Sequence, residues 1–212
     1  FLGFSAGLPF VLTAGTMSAW LAREGLSRTS IGMFAWVGIL YAFKFAWSPL
    51  VDQLRIPVLT NALGRRRSWM LVAQFGVALS LLAMAATNPA TDLVIFAALA
   101  VGVAFFSATQ DIALDAWRIE AVDLEYQGAM AASYQLGYRV ALLVSGAGAL
   151  VIGGEFSYPL AYRAMAALMA VGMIAVLFVG EPLNVLQADG QHPPSARKTG
   201  PWLREAVLQP CM

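Results

Sequence analysis

Cysteine and histidine are almost absent: Cys211 and His192 are single copies in 212 residues, and both fall near the C-terminal end. One cysteine excludes an intrachain disulfide framework and a cysteine-ligated metal. One histidine in a Pro-rich tail removes Ser-His-Asp, Cys-His and histidine–zinc chemistry from the rest of the chain. Charge is scarce too, at 12% of residues with a net of +1, where a soluble domain averages about 25%. No basic patch interleaves with aromatics, so nothing points to nucleic acid. What fills the space is hydrophobic residues, 59% of the total, with a mean hydropathy of +0.70. A chain with so little polar surface is an integral membrane protein.

Crossing a bilayer takes about 20 mostly apolar residues. The spacing predicts six such spans, over residues 1–22, 29–51, 68–87, 93–117, 128–153 and 160–180. The sequence starts inside an apolar run with no Met and no charged leader, and it stops abruptly after Cys211, so both ends read as cuts. Residues 182–212 are rich in Pro, Gly and polar side chains and read as a flexible linker, with a weak interfacial helix over 201–209. One set of loops, with the tail, carries Arg55, Arg65, Arg66, Arg67, Arg118, Arg197, Lys198 and Arg204. The opposite set carries only Arg23, Arg28 and Arg163. By the positive-inside rule both chain ends are cytoplasmic.

Polar residues inside the spans are the functional candidates, because ionisable groups in a bilayer normally face a partner, a water-filled cavity or a substrate path. The segment FFSATQDIALDAWR over residues 105–118 sets Gln110, Asp111 and Asp115 at the end of an uncharged run, with Asp111 and Asp115 on one helix face and Arg118 a turn beyond. Asp115 and Arg118 could equally mark the helix end at the headgroups. Lys44 lies six residues from Leu50 and Asp111 six from Trp117, which predicts a Lys44–Asp111 ion pair; snorkelling of Lys44 is the alternative. Arg139 lies eleven residues, about 16 Å, into its span and near the bilayer middle. Its planar fork suits a carboxylate. With Tyr134, Gln135 and Tyr138 it is the candidate for a substrate carboxylate, the alternative being a fixed pair with Asp111. Gln110 offers donor and acceptor groups for sugar hydroxyls. Asp111 and Asp115 are the candidates for a coupling proton, Asp111 first because it lies deeper. Gly3 and Gly7, and Gly146 and Gly148, are expected to let helices pack closely.

A six-helix unit followed by a linker has the form of one half of a secondary transporter, with substrate bound between halves. Asp52 followed by Gly64-Arg65-Arg66-Arg67 resembles the signature loop of the major facilitator superfamily, with a longer interval between the aspartate and the glycine. These residues, with Lys44 and Arg118, are expected to form structural or gating ion pairs. LGFSAGLP (2–9), FKFAWSPLVD (43–52), LGRRRSW (63–69), SATQDIALDAW (107–117) and LGYRVALLVSGAGAL (136–150) together resemble the AmpG-type muropeptide permeases, inner-membrane members of that superfamily. The resemblance implies an all-α six-helix bundle over residues 1–181 that forms the N-terminal half of a transporter. It further implies proton-driven import of anhydro-muropeptides (GlcNAc–anhydroMurNAc with attached peptide) in peptidoglycan recycling, and a link to β-lactamase induction. The implied partners are lipid, a glycopeptide substrate, protons and a C-terminal half; no cofactor or metal is implied. Three other readings stay open: a related transporter of another solute such as acetyl-CoA, a half-length fragment inactive alone, and a membrane enzyme. The last would need a histidine or an acid pair at one interface, and Asp111/Asp115 is the only such pair within a span.

Overall fold

A computed structural model describes residues 1–182. Six helices long and apolar enough to cross a membrane follow one another: α1 (Leu2–Arg23), α2 (Arg28–Ala46), α3 (Arg65–Ala86), α4 (Leu93–Glu120), α5 (Leu124–Glu155) and α6 (Tyr158–Phe178). The described residues contain no strand. Two short helices, Ser48–Gln53 and Leu59–Leu63, fill the loop between α2 and α3. The expected linker over residues 182–212, with His192, Arg197, Lys198, Arg204 and Cys211, lies outside the described residues from 183 onward.

Local chemistry sets the turns. Gly25 supplies the positive φ of +80° between α1 and α2. Ser27 and Ser157 accept hydrogen bonds from the backbone amides of Ser30 and Leu160, capping α2 and α6. Helix α3 packs along α4 and α6, and α1 packs along α5. The close approach of α1 to α5 depends on glycine as expected. A methyl group on Gly3 would strike the carbonyl of Tyr134, and one on Gly7 would lie 2.7 Å from the carbonyl oxygen of Tyr138. Gly146 would meet only Val11 at 3.4 Å, and Gly148 has open space around it. The packing role expected of Gly148 is therefore corrected: it ends a π-helical turn, Val144–Gly148.

That turn faces a second π-helical turn, Leu12–Thr16 in α1, which follows Pro9. Side chains engage the carbonyls of both turns, Thr16 Oγ1 donating to Ser145 O at 3.0 Å and Tyr162 Oη to Leu12 O at 2.6 Å. Around them Trp20 gathers Phe96, Tyr158 and Tyr162 at 5.0, 5.9 and 4.9 Å between ring centroids. A second apolar cluster (Ala6, Val51, Met70, Ala113, Leu114, Val176) fills the end that holds Leu2 and Val179. Large apolar side chains such as Phe75, Leu79, Val94 and Phe178 stay exposed on the outside, as a lipid-facing surface requires.

Candidate functional site

The acids of α4 face α2 and α5. Lys44 Nζ lies 3.6 Å from Asp115, and Arg118 approaches the same carboxylate at 3.5 Å. The expected Lys44–Asp111 pair is thus corrected to Lys44–Asp115, with Asp111 within electrostatic reach of both. Two features explain the shift. Residues Phe34–Gly38 of α2 are wound as a 3₁₀ helix, which rises about 2.0 rather than 1.5 Å per residue and carries Lys44 roughly 2.5 Å further along the axis. Helix α4 continues to Glu120 instead of ending at residue 117, so Asp111 lies deeper than its distance from Trp117 implied. Among the described residues one carboxylate oxygen of Asp111 is buried without a hydrogen-bond partner, as are the hydroxyls of Tyr41 and Ser107 near it.

From α5, Tyr134 and Tyr138 turn toward Asp111, their rings 6.2 Å apart, and the Arg118 guanidinium covers the Tyr134 ring at 4.6 Å. Gln135 and Arg139 lie one position further round α5 and are exposed. Among the described residues Arg139 makes no ion pair and no hydrogen bond, so the alternative of a fixed Arg139–Asp111 pair does not hold. Among the described residues Arg139 is thus an exposed cation midway along α5, next in sequence to Tyr138.

Gln110 is not part of that face. It is 0% exposed, and its Nε2 donates to Ser5 Oγ at 3.1 Å, while Gln74 Nε2 donates to the same oxygen at 3.2 Å. Gly172 presses directly on Ser5 and holds α6 against this polar layer. The expected sugar contact of Gln110 is corrected accordingly: the amide ties α4 to α1, and with Gln74 to α3.

The loop between α2 and α3 closes the end that holds Glu181. Arg66 is buried and grips Glu120 with two bonds, Nε to Oε2 at 3.1 Å and Nη2 to Oε1 at 2.8 Å, while its remaining amine meets Asp52. Arg67 donates to the carbonyls of Val176 and Leu177 at 2.9 and 2.8 Å, satisfying the end of α6. Arg65 takes part in an interaction as well. Glu181 accepts from the backbone amides of Arg66 and Arg67 at 2.8 and 3.2 Å, a carboxylate at the positive end of α3. Residue 64 has φ +90°, and the Glu181 side chain lies 2.5 Å from where a methyl group would stand, so only glycine fits there. Glu120, Glu181, Ser5, Gln74, Tyr41 and Ser107 were not foreseen. Only Gln74 left a signal, as an amide in an uncharged run.

A crevice of about 630 Å³ opens between α1, α4, α5 and α6, lined by Trp117, Met130, Tyr134, Ile174 and Phe178 with Arg118 at its side. It is apolar and does not contain the acids.

The profile of the Major Facilitator Superfamily matches residues 1–209. The chain is 43% identical over 186 residues to the Anhydromuropeptide permease of Escherichia coli (strain K12), across 87% of this chain and 37% of that protein. It is 37% identical over 183 residues to Putative transporter AmpG 4 of Rickettsia conorii, across 85% of this chain and 44% of that protein. It is 30% identical over 182 residues to Putative transporter AmpG 1 of Rickettsia prowazekii, across 86% and 41%. The chain spans about two fifths of the length of these curated relatives.

Proposed function

The chain belongs to the Major Facilitator Superfamily, and from that premise we propose that it forms the first six-helix bundle of a proton-coupled importer of anhydro-muropeptides. It is a multi-pass membrane protein whose relatives are permeases and transporters, not enzymes. In this reading residues 1–181 are one bundle in a bacterial inner membrane with both ends cytoplasmic. Residues from 182 onward lead to a second half that completes the cavity. The imported substrate feeds peptidoglycan recycling and, through it, β-lactamase induction.

The observation that carries the reading, beyond the likeness to the Escherichia coli permease, is Arg139. An exposed guanidinium at midspan, unpaired among the described residues, calls for an anion from outside this half, and muropeptides carry peptide carboxylates. Gln135 and Tyr138 flank it and supply hydrogen bonds to the substrate's amides and hydroxyls. Asp111 carries the coupling proton; Asp115, held by Lys44 and Arg118, couples that proton's presence to the α2–α4 contact. Asp52, Arg66 and Glu120, with Arg65 and Arg67 alongside, form the cytoplasmic clamp.

The test is uptake of labelled anhydro-muropeptide by this chain joined to the C-terminal part of the Escherichia coli permease, with and without Arg139→Lys. Loss of a bidentate charge-assisted contact is worth about 1.5–3 kcal/mol, a roughly ten- to hundredfold fall in uptake with insertion unchanged. Near-normal uptake by the lysine variant would remove Arg139 from the substrate site.

A further inference from the structure

We propose that Tyr41, Ser107 and the buried oxygen of Asp111 hold an ordered water between them, and that this cluster is the path by which a proton reaches Asp111 from the side opposite Arg66 and Glu120. The inference rests on the reading of Asp111 as the proton carrier and adds the route and its residues.

Three buried oxygens carry it. Among the described residues Tyr41 Oη, Ser107 Oγ and Asp111 Oδ1 each lie out of solvent with no hydrogen-bond partner. Ser107 and Asp111 are one turn apart on α4, and the Tyr41 hydroxyl comes from α2 within interaction range of Ser107 and of Thr13 of α1. Buried polar atoms are nearly always satisfied, and a buried water needs two to four polar partners, which this cluster supplies. A serine or threonine inside a helix can bond back to the carbonyl four residues earlier; Ser145 and Thr109 do so here, and Ser107 does not.

Placement gives the direction. Tyr41 precedes Lys44 on α2, and Ser107 precedes Asp111 on α4; both steps lead away from the end that holds Arg66 and Glu120. On the other side of Asp111 stand Asp115, Lys44 and Arg118. The ionisable groups facing Asp111 are Lys44 and Tyr41 from α2, Asp115 from α4, and Tyr134 and Tyr138 from α5; α1 contributes the uncharged Thr13. Lys44 is committed to Asp115, and a second cation beside it would be repelled, so neutral water suits this donor set better than a metal ion. The transfer balances. A proton accepted by a hydroxyl on its outer side releases that hydroxyl's own proton to the water. The water passes one proton to Asp111 Oδ1, and hydroxyl and water end neutral.

The experiment is infrared spectroscopy of the full chain in lipid nanodiscs across a pH titration. The carbonyl band of a protonated carboxylic acid is assigned to Asp111 by its loss in Asp111→Asn. The expected result is that Tyr41→Phe and Ser107→Ala each shift this band to higher frequency, as for a carbonyl without a donor, and slow its exchange in D₂O, while Ser80→Ala leaves both unchanged. An assigned band with wild-type frequency and exchange in both variants would overturn the water path and leave Asp111 as the carrier. Absence at every pH of any band that Asp111→Asn removes would overturn both. If Tyr41→Phe does not fold, Ser107→Ala carries the test, since alanine is well tolerated within a helix.

Discussion

Replacing Ser5 by alanine is the sharpest probe of the packing that places the site. Its hydroxyl oxygen accepts from Gln74 at 3.2 Å and from Gln110 at 3.1 Å, and itself donates to Leu2 O at 2.9 Å. All three side chains are fully enclosed, and among the described residues each glutamine Nε2 donates to Ser5 alone. Hydrogen bonds between spans average about 0.6 kcal/mol and reach about 1.7, because helices separated in a bilayer find other partners. Two lost inter-helix bonds therefore predict a destabilisation of about 1–3 kcal/mol, reduced by at most about 0.5 through the better helix propensity of alanine. Gly172 packs on the Ser5 Cβ, which alanine keeps, so no cavity of note adds to the sum. The assay is reversible unfolding in mixed micelles, or steric trapping in bicelles. Adding Gln74→Met and Gln110→Met to Ser5→Ala should recover most of the loss, since the stranded donors are then gone. A single variant within about 0.5 kcal/mol of wild type, or a triple variant worse than the single, would refute the reasoning.

Gly3→Ala drives a methyl group into the Tyr134 carbonyl and should cost about 1–3 kcal/mol by the same assay, while Gly148→Ala, with nothing near it, should be silent. Lys44→Met removes a pair whose side chains are 38% and 41% exposed, so its effect on stability should stay below about 1 kcal/mol. Its effect should appear instead in the pH-gradient dependence of uptake by the completed transporter. Glu181→Ala strands the first amides of α3 and should cost about 1 kcal/mol, read as a roughly fivefold faster hydrogen exchange of Arg66 and Arg67. Unchanged protection there would show that Glu181 is not a cap.

The spans were legible because bilayer thickness fixes a length and because charge is so rare that each ionisable residue in a span stands out. Gly3 and Gly7 stood out because a Gly-xxx-Gly pair in an apolar run favours close helix approach, and they lie against the Tyr134 and Tyr138 carbonyls. The partner of Lys44 was not, since nothing in residues 34–38 announces the 3₁₀ winding that moves it toward Asp115. Gln110 was misread because an apolar helix without a polar stripe does not declare which side faces its neighbours. Glu120 and Glu181 lie where composition reads as loop and linker, yet each ends on an arginine or a helix terminus brought together by the fold.

The central claim is that this bundle is one half of a muropeptide importer, and complementation tests it most directly. The chain would be expressed alone and joined to the C-terminal part of the Escherichia coli permease, in a Gram-negative strain lacking its muropeptide permease. The readouts are uptake of labelled anhydro-muropeptide and β-lactamase induction. Rescue by the joined chain but not by the chain alone is the predicted result. Failure of both, with correct insertion shown by topology reporters, would contradict the substrate assignment and make acetyl-CoA the next solute to test.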